Sequence, residues 1–114
     1  MMTSDEILDI CKELKMPFRW HSYRAVPPNH FFGTYNISGK KFDGADECAF
    51  YKHYTLDITF FYRESKNPED FKREKEFENA VRECGEYSCE MGYDSGNDLF
   101  FTQYHFEINE ELED

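Results

Sequence analysis

The stretch Tyr54-Thr55-Leu56-Asp57-Ile58-Thr59-Phe60-Phe61-Tyr62-Arg63 constrains the fold more than any other part of the chain. Tyr54, Leu56, Ile58, Phe60 and Tyr62 fall on one face of an extended backbone. Thr55, Asp57, Thr59, Phe61 and Arg63 fall on the other. A period of two is the signature of a strand, because successive side chains point to opposite sides of the pleat. One apolar and one mixed face predict an antiparallel sheet covered on one side only. The strand is expected over about residues 49–63.

Helical spacing flanks it. Ile7, Ile10, Cys11 and Leu14 recur on one side of a helix over about residues 4–15, opened by a Thr3/Glu6 capping box and followed by Pro17. Asn67-Pro68-Glu69-Asp70 opens a second helix, with an N-cap, a Pro in the first position and acids in the first turn. Phe77, Ala80, Val81 and Cys84 share its apolar side, with Phe71 at the edge. Lys72, Arg73, Glu74, Lys75, Glu76 and Glu78 form a solvated face, and Gly85 caps the end.

Further strands are expected at about 18–25, ended by Val26-Pro27-Pro28-Asn29, at 30–38, at 86–91 and at 99–108. Residues 39–48 and 92–98 read as loops. Four of the last five residues are acidic, and residues 110–114 are expected to be a disordered tail. The order α-β-β-β-α-β-β, without a repeated βαβ unit, gives an α+β domain over residues 1–109. A mainly antiparallel five-stranded sheet carries two helices on one face.

The 114 residues suit one domain. Leu, Ile and Val are scarce, so the core is expected from twelve Phe and eight Tyr, each able to bury roughly 150–250 Å². The net charge of −11 argues against a protein that holds nucleic acid through a basic surface. The acidic start, Met1-Met2-Thr3-Ser4-Asp5-Glu6, and the lack of a long apolar run predict a cytosolic, soluble protein. Cys11, Cys48, Cys84 and Cys89 then read as reduced thiols.

No spacing points to catalysis, a metal or a cofactor. His21, His30, His53 and His105 are scattered, and the thiols form no C-x-x-C pair. Asp94-Ser95-Gly96-Asn97-Asp98 has clustered oxygens without the order of a calcium loop. Ser95 lies outside any G-x-S-x-G. The residues describe a non-enzymatic module acting through surfaces. Aromatics in the two loops are the candidate contacts: Phe42 with Asp43, and Tyr93 with Asp94.

From residue 5 to 108 the chain resembles the tail-terminator, or tail-completion, proteins of long-tailed bacteriophages and prophages. The likeness is carried by the leading helix, Met16-Pro17-Phe18-Arg19-Trp20-His21, Pro27-Pro28 before an aromatic strand, and the Gly39–Asp46 loop. It continues through Leu56-Asp57-Ile58-Thr59-Phe60-Phe61-Tyr62, Lys66-Asn67-Pro68-Glu69-Asp70 and Tyr104-His105-Phe106-Glu107-Ile108. The resemblance implies a virion protein, assembled in the host cytoplasm. It would form a ring, usually of six, on the head-proximal end of the tail tube. The implied partners are further copies of itself, the tail tube protein and the head-tail connector, with genome DNA passing through unbound. Six copies would carry 66 net negative charges, which repel DNA where they line a channel. Net charge alone admits a different class, an acidic DNA mimic that blocks a nucleic-acid-binding host protein.

Overall fold

In the computed structural model, residues 3–14, 16–20, 31–44, 50–63, 68–82 and 87–112 are described. For 40–44, 50–51 and 110–112 only the backbone is. The elements run α1 (Ser4–Glu13), β1 (Phe18–Trp20), β2 (Phe31–Gly44), β3 (Phe50–Tyr62), α2 (Pro68–Ala80), β4 (Tyr87–Asp94) and β5 (Leu99–Leu112). The five strands form one sheet in the order β1-β2-β3-β5-β4. Every pairing is antiparallel except β1 with β2, which is parallel. The fold is thus α+β, as the alternating pattern and two helices predict.

The alternation in β3 places the core. Tyr54, Leu56, Ile58, Phe60 and Tyr62 are all buried. The register sets them beside Ile108, Phe106, Tyr104, Thr102 and Phe100 of β5. α1 and its C-cap contribute Ile7, Cys11 and Leu14 to the same cluster, and α2 with the residue that follows it contributes Phe77 and Val81. Rings do most of the filling. Phe77 meets Phe60 edge-on with centroids 5.0 Å apart and lies 5.2 Å from Tyr104 and 6.0 Å from Phe106. Such pairs contribute about 0.5–1.5 kcal/mol each beyond the area they bury. α1 begins as its capping box dictates: Thr3 Oγ1 accepts from the Glu6 amide at 3.3 Å while the Glu6 carboxylate reaches the Thr3 amide. The buried Tyr54 hydroxyl donates to Ser4 Oγ at 2.6 Å and pins α1 to β3.

Four expectations are corrected. Residues 39–44 are strand, not loop. β2 continues through a register shift between Ser38 and Lys41, where Gly39 has φ +63°. An L side chain rarely adopts that angle, so the glycine that resembled a loop opening serves a β-bulge. Residues 92–94 belong to β4, leaving a four-residue turn over 95–98. The acidic segment 110–112 is paired rather than disordered, with Glu110 opposite Lys52 and Leu112 opposite Phe50. Finally, the buried stripe of α2 is Asp70, Glu74, Phe77 and Val81, while Phe71 is 58% exposed and Ala80 is exposed. Offsets of four, three and four residues share one side of a helix, so Phe77 and Val81 carry Asp70 and Glu74 inward with them. Arg73 lies 3.6 Å from the Asp70 carboxylate. The expected caps Asn67 and Gly85, the strand over 21–25, residues 45–48, Cys84 and residues 113–114 lie outside the described residues.

Candidate functional site

The four contact candidates are not brought together. Phe42 and Asp43 sit in β2 at register positions opposite Lys52 and Tyr51 of β3. Tyr93 and Asp94 sit in β4 opposite Phe100 and Leu99, and the row of Tyr93 continues through Phe100 to Tyr62 and Phe31. Ten residues of β3 separate the two levels, roughly 33 Å along the strand. The molecule is correspondingly long, with extents of 53 × 28 × 21 Å. The candidates therefore mark opposite ends of one sheet.

The Tyr93 end is tightly built. Asp94 accepts from the Gly96 amide at 3.0 Å and from Asn97 Nδ2 at 2.8 Å. These donors, Asn97 first, hold its carboxyl below the ordinary carboxylate range. Asp98 takes the left-handed conformation at φ 54° that closes the turn. The Tyr93 hydroxyl donates to Asp98, which together with the nearby negative charge raises the phenol pKa. Its ring packs 4.9 Å from Phe100 and remains 49% exposed. Gly92 admits the close approach of Phe101, since a Cβ there would lie 2.4 Å from that ring.

The face opposite the helices carries a polar row across four strands. Ser38 Oγ on β2 donates to Asp57 on β3 at 3.5 Å. Asp57 meets His105 Nδ1 on β5 at 2.5 Å, and His105 Nε2 meets Glu90 on β4 at 3.3 Å. Burial lowers the imidazole pKa, but the hydrogen bonds to Asp57 and Glu90 and their charges outweigh it, leaving His105 above its ordinary value. Toward the Tyr93 end, the same face holds an open cavity of about 350 Å³ lined by Thr34, Asn36, Thr59, Phe61, Asp94, Phe101 and Gln103. There Gln103 donates to Thr59 Oγ1 at 3.0 Å. Among the described residues, no three His, Cys, Asp or Glu converge as a metal site. Cys11 is buried and Cys89 exposed, neither in a disulfide, while Cys48 lies outside the described residues. No helix among the described residues is long and apolar enough to cross a membrane.

The sheet edges are the feature that sequence reading missed. Among the described residues, β1 and β4 are the outermost strands. Apart from Phe71 on α2, the exposed large hydrophobic residues in the described chain are Trp20 on β1 and Met91 and Tyr93 on β4. The register puts all three on the helix side of the sheet. Proteins usually blunt a long edge with Lys, Pro or a bulge. β4, Tyr-Ser-Cys-Glu-Met-Gly-Tyr-Asp, has none of these and pairs with β5 without a register shift. An outer strand can add another strand through main-chain N–H and C=O groups. No protein-family model matches the chain, and no curated protein matches it.

Proposed function

We propose that this chain is a structural protein of long-tailed phage particles. It caps the head-proximal end of the tail tube as a ring of six, ends tube growth and joins the tail to the head connector. The observation that supports this reading best is the pair of unlike, apolar-bearing edges on one sheet. Contacts between different patches of identical subunits join head to tail, and they close into rings when the rotation allows. An eight-residue edge strand without Lys, Pro or a bulge, whose only charges are Glu90 and Asp94, fits a surface covered by an edge of opposite charge.

The wide separation of the contact candidates fits the same role. If neighbouring copies meet at the sheet edges, the sheet ends are left for the two axial neighbours. Phe42 with Asp43 would meet one of these, and Tyr93 with Asp94 the other. The reading needs no catalytic group and no cofactor. The acidic composition suits a passage through which DNA slides without adhering.

Electron microscopy of lysates from a phage lacking this gene tests the proposal. Filled heads beside unattached, overlong tails are expected. Intact virions with tails of normal length would reject it and turn attention to a basic host target for an acidic mimic.

A further inference from the structure

We infer that β4 of one copy pairs antiparallel with β1 of the next, so that the five-stranded sheet continues from subunit to subunit with Arg19 set against Glu90 of its neighbour. The inference rests on the ring reading above and names the surfaces that build the ring.

The two edge strands run in opposite directions. β1 is parallel to β2, and each step from β2 to β3, β5 and β4 reverses direction. β4 therefore runs opposite to β1. A second copy placed beside the first in the same orientation brings the two edges together as an antiparallel pair. The helix sides of both sheets then face the same way. Trp20 and Phe18 of one copy come beside the stretch of the other that carries Met91, and the two exposed apolar side chains Trp20 and Met91 gain cover.

Following the pairings straight across the sheet, Phe18 shares a row with Gly33, Phe60, Thr102 and Met91. Arg19 shares one with Thr34, Thr59, Gln103 and Glu90. Trp20 shares one with Tyr35, Ile58, Tyr104 and Cys89. A ring that closes without stagger joins the end of each row to its own beginning. That sets Phe18 against Met91, Arg19 against Glu90 and Trp20 against Cys89. Arg19 is exposed and the Glu90 side chain is 63% exposed. Opposite charges thus meet on one side of the joined sheet and apolar groups on the other. An isologous pairing of β4 with β4 centred on Gly92 would instead set Glu90 of each copy against Asp94 of the other, which like-charge repulsion disfavours.

The test is a disulfide trap in the full-length chain. In the Trp20→Cys variant, position 20 faces Cys89 of the next copy, an exposed thiol outside any disulfide. Directly opposed antiparallel residues lie about 4.5–5.5 Å apart at Cα, within the range a disulfide spans. Within one copy the two positions lie four strand spacings apart, roughly 19 Å, so the link forms only between copies. Mild oxidation should give covalent multimers beyond the dimer. Peptide mapping should show position 20 joined to Cys89. Adding Arg19→Glu or Glu90→Arg should each lower the yield of that link about tenfold, and both together should restore it. Links only between Cys89 and Cys89, no link from position 20, or yields indifferent to the charge reversals would overturn the inference. If the link forms as described while the gene-deleted phage makes normal virions, the interface stands and the tail assignment fails. Overlong tails without the link would leave the assignment and remove this interface.

Discussion

Replacing Phe77 by Ala should remove the main attachment of α2 to the sheet. Phe77 is fully buried, and its ring contacts Phe60, Tyr104 and Phe106. Of the four buried positions on the α2 side, two are carboxylates, so Phe77 and Val81 carry the apolar packing. Truncating a buried Phe costs about 3–5 kcal/mol, the sum of lost transfer energy and a residual cavity. At 114 residues the whole domain is worth roughly 6–17 kcal/mol, so this one change takes a large share. The melting temperature should fall by roughly 12–20 °C. Urea titration followed by circular dichroism measures the loss directly, with an unchanged m-value expected if unfolding stays two-state. Phe71→Ala is the control, since Phe71 is 58% exposed and should matter by no more than about 0.5 kcal/mol. A Phe77→Ala loss below about 1.5 kcal/mol, or a larger loss at Phe71, would refute the assignment of the buried face of α2.

Three further outcomes follow from named contacts. Thr3→Ala deletes the side-chain half of the capping box and should cost about 1 kcal/mol, seen as faster amide exchange in the first turn of α1. His105 has its pKa raised in the folded state, so its contribution is complete below about pH 6.5 and is lost as pH rises through the folded value. The stability gap between the native chain and His105→Gln should therefore shrink from pH 6 to pH 9. An NMR titration midpoint at or below about 6.5 would contradict the Asp57–His105–Glu90 row. Burial pushes the Cys11 thiol far above its ordinary pKa, whereas Cys89 is exposed. Alkylation of the native protein, mapped by mass spectrometry, should label Cys89 and spare Cys11 until urea is added.

How far the sequence reveals this molecule depends on the range of the interaction. The buried face of β3 was legible, because alternation over 54–62 reports burial residue by residue. The capping box of α1 was equally local. Gly39 was ambiguous, because a left-handed glycine serves a bulge as readily as a loop, and only the paired β3 decides between them. Glu74 reads as part of the solvated face and Asp70 as a first-turn acid, because charge outweighs their spacing from Phe77, and both are buried. Phe42 and Tyr93 could be singled out as aromatics in polar stretches, but their separation depends on strand register, which no local pattern encodes. The same holds for Arg19 and Glu90: their shared row exists only once four strand pairings are known.

The most direct test of the central claim joins the edge contact to head-tail joining. A phage lacking this gene would be complemented with chains carrying Arg19→Glu, Glu90→Arg, or both, and the lysates imaged by electron microscopy. The account predicts separate heads and tails with either single reversal and joined virions with the pair. Normal virions from both single variants would contradict it.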